Sequence, residues 1–342
     1  MASPPGLASM WRMKRSDSLN RLRRRRLLAG AALCALATIA AAQSATPSAP
    51  LRLIVPFTPG TGIDLIARQI GPRLSERLGR AVVIENRSGA SGNLGTEAVV
   101  RAAPDGNTLL VTVNTMVMNR ALYPKLGFDV LKDLEPVSLT SWGQLLLVTS
   151  KASGITTAKE LVARARARPG ALNYASPGAG TPHHLAMELL KNQAGIFITH
   201  IPYRGTAPAL TDLLGGQVEL MFLPIHVALQ QVRAGKLNAL GISSDKPHPL
   251  LPEVPPLRTL NLGQLDVEMW YGVLAPAGTP RALLQRLNAE LKDILAQPEV
   301  KAAFETQGMS PAHSSADDFR RLIAQDAERW AQVVKAQAIQ PE

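Results

Sequence analysis

Residues 52–64 constrain the fold of this chain more than any other stretch. They begin with an apolar run at 53–55 that is typical of a buried strand. Residues 56–62 follow, and their prolines and glycines predict a tight, non-helical loop. From Ile63 onward apolar residues recur every four positions until Gly79, which stands where a helix would end. A strand, a glycine-rich loop and a helix N-terminus in this order direct backbone N–H groups at a ligand, which is usually an anion.

Strand-like and helix-like segments alternate along the rest of the chain. This alternation predicts an α/β protein with largely parallel sheets. The Thr-Pro pairs at 181–182 and 279–280 each place a capping hydroxyl before a proline, as at many helix starts. Further helices are predicted over 280–296 and over 316–336, with Ser314 and Ser315 as possible caps. The predicted strands are 53–55, 81–84, 108–113, 145–149, 173–175, 198–202, 220–222 and 237–242, with a further candidate at 273–275.

Three glycine-rich segments, 59–62, 88–95 and 176–181, each follow a predicted strand and precede a predicted helix. In open α/β sheets, ligands bind at the carboxyl ends of the strands, where such loops lie. None of the three completes a catalytic or nucleotide-binding motif. Leu65 and His183 stand where a dinucleotide fingerprint needs its third glycine, and Asn93 stands where a nucleophile elbow needs its second glycine. The loops therefore predict a site for capturing a ligand, formed largely by backbone groups.

Several side chains near these loops have two interpretations each. His183 and His184 are adjacent, whereas metal-binding pairs on a helix are usually four residues apart, so no metal site is predicted. One imidazole would hydrogen-bond near the helix start and the other would be solvated; alternatively, His184 contacts a ligand. Asp64 either interacts with its helix N-terminus or contacts a ligand amine or hydroxyl. Tyr203 either covers a ligand or packs between loops, and Arg204 either pairs with a carboxylate or is solvated.

Residues 1–42 are typical of a cleaved export signal. They are basic up to Arg26 and then apolar for about 16 residues, fewer than the roughly 20 that a membrane span needs. Three alanines before Gln43 resemble a cleavage site. The arginines at 24–26 and the two leucines after them are similar to a twin-arginine signal, and a retained membrane anchor is the alternative. Residues 43–50 form a linker.

Removal of this leader would change the chemistry of the chain in two ways. The single cysteine, Cys34, would leave with it, so disulfides and thiolate chemistry are not expected in the mature protein. The net charge of +11 would also fall, because the leader holds eight basic residues and one acidic residue, leaving 29 basic residues against 25 acidic ones. A nucleic-acid partner is therefore not predicted.

Sequence segments from nearly the whole mature chain, in their order along it, resemble those of the substrate-binding receptors of tripartite tricarboxylate transporters, the Bug-type family. The segments are RLIVPFTPGTGID, VVIENRSGASGNLG, AAPDGNTLL, LNYASPGAGTPHHLA, HIPYRGTAPALTDLLGGQVEL, AGKLNALGIS, WYGVLAPAGTP and ERWAQVVKA. The resemblance implies a type II periplasmic-binding-protein fold with two α/β lobes around a ligand cleft. The chain would cross between lobes near residues 135–142 and return near 268–274. Residues 50–140 and 272–342 would form one lobe, and 141–271 the other.

The resemblance also implies a function. The protein would be a periplasmic, non-enzymatic and monomeric receptor that captures a small organic carboxylate and delivers it to membrane permease subunits, without cofactor or metal. Two alternatives are a periplasmic sensor that presents its ligand to a signalling receptor and an exported α/β hydrolase.

Matching the family's binding loops to this chain yields a set of implied ligand-binding residues. Thr61 stands where the family often has glycine, so a hydroxyl could enter the pocket. Leu223 stands where many members carry an aspartate, which argues against an amino-acid ligand and for a plain carboxylate or a more apolar acid. The implied residues are Phe57, Thr58, Pro59, Gly60, Thr61, Gly62, Asp64, Asn114, Thr115, Ser176, Gly178, Gly180, Thr181, His184, Tyr203 and Leu223.

Overall fold

Two β-sheets, flanked by helices, organise the protein. The computed structural model describes residues 49–340 except 124, 261, 263, 264 and 266. The predicted export signal and nearly all of the predicted linker lie outside these residues. The strands are β1 (Leu51–Val55), β2 (Val82–Asn86), β3 (Thr108–Val113), β4 (Leu134–Gly143), β5 (Leu145–Ser150), β6 (Asn173–Ser176), β7 (Thr199–Pro202), β8 (Leu220–Pro224), β9 (Leu237–Ile242), β10 (Met269–Pro276) and β11 (Met309–Pro311).

Helices follow most of these strands, as the alternating pattern predicts. None of the helices in the described residues is long and apolar enough to cross a membrane. The α-helices are α1 (Gly62–Leu78), α2 (Asn93–Val100), α3 (Thr115–Leu122), α4 (Ala158–Ala167), α5 (Pro182–Ala194), α6 (Thr206–Leu214), α7 (Ile225–Arg233), α8 (Arg281–Ala296), α9 (Pro298–Glu305) and α10 (Ala316–Ala336).

The two sheets define two lobes. The first lobe carries a six-stranded sheet in the order β11-β4-β10-β3-β1-β2, and the second carries a five-stranded sheet in the order β7-β6-β8-β5-β9. The chain passes to the second lobe between β4 and β5 and returns between β9 and β10. The predicted lobe boundaries at 140/141 and 271/272 thus fall inside β4 and β10, and the exact division remains a prediction.

Both sheets are mixed, so the prediction of largely parallel sheets is wrong. Strands β1, β2 and β3 pair in parallel, as do β6, β7 and β8. The strands on either side of the crossings break the pattern, because β10 is antiparallel to β3 and β4, and β5 is antiparallel to β8 and β9. Residues 135–142, expected as a crossing, belong to the ten-residue strand β4.

An aromatic contact fixes the C-terminal helix α10 to the first sheet. The rings of Trp270 and Phe319 meet edge to face with centroids 5.2 Å apart, a geometry that stabilises by about 0.5–1.5 kcal/mol beyond the buried area. The Trp270 indole N–H donates to Asp326 Oδ2 over 2.8 Å. Gly272 leaves room for this packing, since a Cβ there would lie 2.1 Å from Phe319 Cζ.

The helix termini follow the predictions in part. Helix α1 ends at Gly79 in the left-handed conformation (φ 64°), and the Ser315 hydroxyl caps α10 by accepting from Asp318 N–H. The predicted capping by the threonine hydroxyls is wrong. Thr181 Oγ1 and Thr279 Oγ1 instead donate backward, each over 2.7 Å, to the carbonyl three residues earlier. Their hydroxyls therefore close the preceding turns and leave the first N–H groups of the helices uncapped.

Candidate functional site

Five helix N-termini meet at one cavity between the lobes. Helices α1 and α3 come from the first lobe, and α5, α6 and α7 from the second. Each contributes at least one of its first two residues to the lining, including Gly62, Thr115, Pro182, Thr206 and His226. Each helix N-terminus carries a partial positive charge from its aligned peptide dipoles. The arrangement therefore favours an anion in the cavity.

The rest of the lining combines apolar surface with hydroxyls and imidazoles. The cavity has a volume of about 40 Å³, enough for about three water-sized groups. None of the described lining residues is Lys, Arg, Asp or Glu, so fixed side-chain charges do not set its potential. The lining residues are Phe57, Thr61, Gly62, Ile63, Val113, Thr115, Pro177, Thr181, Pro182, His183, Thr206, Pro224, His226, Met269 and Tyr271.

Glycines let the two lobes approach closely around this cavity. A Cβ at Gly62, in the first lobe, would lie 2.9 Å from Cε1 of His226 in the second. In the second lobe, a Cβ at Gly180 would lie 2.3 Å from Asn119 Oδ1 across the cleft. Gly180 also has a φ of 80°, which side chains rarely adopt. These glycines belong to the predicted loops, and their lack of a side chain is what the packing between the lobes requires.

Asp64 holds the first of the predicted loops in place. Its Oδ2 accepts from Gly60 N–H and Arg68 Nε, both over 2.9 Å, and its Oδ1 accepts from Asn86 Nδ2 over 2.9 Å. Burial alone would raise the pKa of Asp64, but these hydrogen bonds outweigh it and the pKa is lowered. Both carboxylate oxygens are thus engaged within the chain, in line with the structural interpretation of Asp64.

The remaining residues of this loop divide between the cavity and the surface. Phe57, Thr61 and Gly62 line the cavity. Pro59 and Gly60 are exposed and do not line it. The resemblance implied that Gly60 binds a ligand, but the Gly60 N–H is already donated to Asp64.

At the start of α3, two adjacent polar residues have different positions. Asn114 is buried, and its Nδ2 donates to Glu268 O over 2.9 Å, joining β3 to the segment that returns from the second lobe. Thr115 lines the cavity, and its buried Oγ1 has no hydrogen-bond partner among the described residues. Of these two, Thr115 is the one whose side chain can reach a ligand.

Hydrogen bonds within the second lobe hold its glycine-rich loop, residues 176–181, in place. Gly178 N–H donates to Ser176 Oγ over 3.1 Å, and Gly180 N–H donates to His184 Nδ1 over 3.2 Å. The expectation that one of the two adjacent histidines is solvated is wrong, since His183 and His184 are only 8% and 2% exposed. His184 does not line the cavity, because its ring is used to hold the loop. Thr181 and His183 line it instead.

Ser176 also contacts a histidine, as a hydrolase nucleophile would. Its Oγ lies 2.6 Å from His200 Nε2, and the ring of His200 stacks on that of Tyr174 with centroids 4.6 Å apart. Ser176 is, however, completely buried and lies outside the cavity lining. A ligand in the cavity does not face its hydroxyl, so we interpret the pair as a further brace of the loop.

Tyr203 and Arg204 lie in an outer groove rather than in the cavity. This groove, of about 640 Å³, shares Phe57 and Pro177 with the cavity, and Thr58 and Gly178 also line it. The Tyr203 hydroxyl donates to Asp212 Oδ2 over 2.7 Å. Tyr203 therefore packs against its own lobe at the entrance to the cavity.

Leu223 does not line the cavity, although its position suggested that it would. Its side chain is fully buried in the apolar core of the second lobe. Because side chains alternate along a strand, the neighbouring Pro224 lines the cavity instead.

Three titratable residues of the lining, His183, His226 and Tyr271, were not among the residues predicted to bind a ligand. Burial lowers the pKa of His183 to about 3, with a further contribution from His226, and lowers the pKa of His226 to about 4. Burial also raises the pKa of the Tyr271 phenol. All three are neutral at physiological pH and can act as hydrogen-bond donors. Among the described residues, no group of three or more His, Cys, Asp or Glu side chains could hold a metal ion.

Comparison with known proteins relates this architecture to one family. A family model described as the tripartite tricarboxylate transporter family receptor, TctC, matches residues 66–339. The solved periplasmic binding protein BugD is 30% identical with a TM-score of 0.82, covering 86% of this chain and 100% of BugD.

Two similar structures contain carboxylates. R. palustris Rpa4515 with adipate is 32% identical with a TM-score of 0.83, over 87% of this chain and 100% of that one. MatC from Rhodopseudomonas palustris with bound malate is 32% identical with a TM-score of 0.80, over 84% of this chain and 99% of that one.

Proposed function

We propose that this chain, which belongs to the tripartite tricarboxylate transporter receptor family, captures a small organic carboxylate in the cavity between its lobes and delivers it to the membrane subunits of such a transporter. The family consists of periplasmic solute-binding receptors, which agrees with the fold and with the similarity to BugD. Capture without chemical conversion is part of the proposal.

The observation that carries the ligand class is the convergence of five helix N-termini on a cavity lined by hydroxyls and neutral imidazoles. Backbone N–H groups at these termini can form charge-assisted hydrogen bonds with a carboxylate, and such bonds are roughly twice as strong as neutral ones. The bound adipate and malate of two similar proteins support the same class.

The size of the cavity bears on how a ligand would sit. A volume of about 40 Å³ accommodates a carboxylate group but not a whole dicarboxylate. We infer that the remainder of the ligand extends past Phe57 and Pro177 toward the outer groove, or that the lobes separate slightly to admit it. The crossings between β4 and β5 and between β9 and β10 would act as the hinge.

The predicted site residues take two roles in this proposal. Phe57, Thr61, Gly62, Thr115 and Thr181 would contact the ligand, because they line the cavity. The others would act indirectly. Asp64, Ser176, Gly180 and His184 hold the loops, Gly178 lets the lobes meet, and Thr58 and Tyr203 border the outer groove.

The finer cellular assignments also remain proposals. We propose that residues 1–42 direct export and are cleaved before Gln43, and that the mature receptor is a monomer. Mass spectrometry of the protein recovered from a periplasmic extract would test the cleavage site. An intact N-terminus in a membrane fraction would instead indicate a retained anchor.

A thermal-unfolding screen tests the binding function. The mature chain would be screened with malate, adipate, monocarboxylates, amino acids and neutral sugars. A ligand at 100 times its Kd adds about 2.7 kcal/mol to the free energy of unfolding, which raises Tm by about 5 °C in a protein of this size. We expect such a shift with at least one carboxylate, recovered unchanged. No shift with any carboxylate would refute the proposed function, and chemical conversion of the bound acid would support a hydrolase.

A further inference from the structure

Two imidazoles of the second lobe line the cavity with buried ring nitrogens that have no hydrogen-bond partner among the described residues. His183 is the second residue of α5 and is 8% exposed, and both of its ring nitrogens are buried and unpartnered. His226 is the second residue of α7, and its Nε2 is likewise buried and unpartnered. Both line the cavity. Burying polar atoms without partners opposes folding, so this pair is expected to have a role outside the folding of the chain itself.

The surroundings of the pair keep both rings uncharged. Each lies in the first turn of a helix, where the dipole disfavours a cation, and burial lowers the pKa of each ring. The other titratable group that faces them is Tyr271 of β10, whose phenol stays neutral. The lining residues from α1, α3 and α6 are glycine, isoleucine and threonines. No anion of the described lining therefore stabilises a proton on either ring.

A bound anion would reverse this balance. A carboxylate beside the pair supplies the negative charge that the lining lacks, and a nearby opposite charge favours the protonated imidazole. Protonation also turns a ring with one N–H donor into a ring with two, so that it can donate to the ligand and to a second acceptor. The two rings are close enough for a proton on one to disfavour a proton on the other. The pair is thus expected to hold a single proton.

We propose that His183 and His226 together bind an acidic group of the ligand, and that binding transfers one proton from solvent to this pair. The proposal rests on the carboxylate-binding function proposed above. The proton leaves a buffer acid and enters the lone pair of one imidazole nitrogen, and no other bond is made or broken. The resulting N⁺–H···O⁻ contact is a charge-assisted hydrogen bond inside a closed cavity.

The sign of the pH dependence follows from this scheme. The free pair has depressed pKa values of about 3 and about 4, whereas the pKa of the pair in the complex is raised by the ligand. Between these values, binding takes up a proton, so affinity increases as the pH falls. Within this window Kd rises by up to about tenfold per pH unit, and above the pKa of the complex Kd no longer changes with pH. Below about pH 4 the ligand itself becomes protonated and the trend ends.

Isothermal titration calorimetry with malate and adipate tests the proposal on the wild-type mature protein. Titrations at neutral pH in buffers of different ionisation enthalpy give the number of protons taken up from the slope of the observed enthalpy. We expect about one proton per ligand in the wild type. The double variant His183→Asn/His226→Asn should take up none and should bind at least about tenfold more weakly. His313→Asn, a substitution of a histidine outside the cavity, serves as the matched control and should behave like the wild type.

The titrations distinguish a failure of the histidine pair from a failure of the receptor function. Binding of either acid without proton uptake by the wild type, or unchanged uptake in the double variant, would overturn the role of the pair and leave the receptor function intact. Neither heat nor a thermal shift with either acid would refute the receptor function and the inference with it. If the double variant does not fold, the wild-type buffer series alone decides.

Discussion

Replacing Gly62 by alanine is expected to weaken ligand binding more than it changes the free energy of unfolding. Gly62 is the first residue of α1 and lies outside the left-handed region, so its backbone accepts alanine. The added Cβ would lie 2.9 Å from Cε1 of His226 and 3.0 Å from the Tyr271 hydroxyl. Carbon atoms normally pack at about 3.5–4.0 Å, so the lobes would have to move apart by roughly 0.5–1 Å at this point.

The expected magnitude follows from this overlap. Forcing an extra methyl into a packed site typically costs about 1–3 kcal/mol. If this cost falls on the arrangement in which the lobes meet, Kd for a carboxylate rises by about 5- to 150-fold. The free energy of unfolding should change less, because His226 lies on the other lobe and alanine is a better helix former than glycine by up to about 1 kcal/mol.

Calorimetric titration and urea unfolding, measured on the same variant, test this prediction. Gly215→Ala is the matched control. Gly215 has a φ of −76°, and a Cβ there would meet its nearest atom, Thr211 O, at 3.4 Å, at the edge of ordinary contact. The control should bind like the wild type. Kd of Gly62→Ala within about twofold of the wild-type value would refute the claim that close approach at Gly62 matters for capture.

Three further substitutions test the loops and the lining. Asp64→Asn should lower the free energy of unfolding by about 1.5–3 kcal/mol in urea titrations, because Asp64 accepts charge-assisted hydrogen bonds, one of them from Gly60 N–H. Because the folded-state pKa of Asp64 is lowered, this stabilisation is fully present above the unfolded pKa of about 4. It is lost as the pH falls through the folded-state pKa. The free energy of unfolding of the variant should therefore depend less on pH in the acid range. Tyr271→Phe should raise Kd about fivefold in calorimetry, because the variant loses a hydroxyl that lines the cavity. The Tm should change little, because within the protein this hydroxyl has only a weak contact, to Met269 Sδ at 3.8 Å. An unchanged Kd would place the ligand away from β10. Gly180→Ala should both lower Tm and weaken binding, because its φ of 80° and the contact with Asn119 oppose a side chain. An unchanged Tm would show that the loop is more adaptable than its packing indicates.

Local patterns in the sequence predicted those parts of the fold that local forces determine. The apolar period of α1, its glycine terminus and the Ser315 cap all depend on residues within a few positions of one another. The three glycine-rich loops were also predicted between strands and helices, because turn residues act locally.

Two strands escaped prediction because their neighbours in the sheet, rather than their own composition, determine their structure. Strand β4 contains Pro136, and a proline argues against assigning its segment to a central strand. It lies between β10 and β11, so its partners come from residues more than 120 positions later. Strand β11 is only three residues long.

The cavity lining depends on the tertiary structure even more strongly. His226 and Tyr271 reach Gly62 only because the two lobes meet there, and nothing within a local window marks either residue. His183 directly follows a predicted loop, but which of two adjacent imidazoles faces a cavity depends on how the helix packs. Leu223 is a second example. A shift of one position along a strand moves a side chain from the core to the cavity, and the sequence alone did not determine that Pro224 rather than Leu223 lines it.

A crystal structure of the mature protein with malate or adipate tests the central claim most directly. We predict that a carboxylate group occupies the cavity between the lobes, with oxygens within hydrogen-bond distance of the Thr115 hydroxyl and of an imidazole of His183 or His226. A ligand held instead in the outer groove at Arg204, with the cavity unchanged, would contradict it.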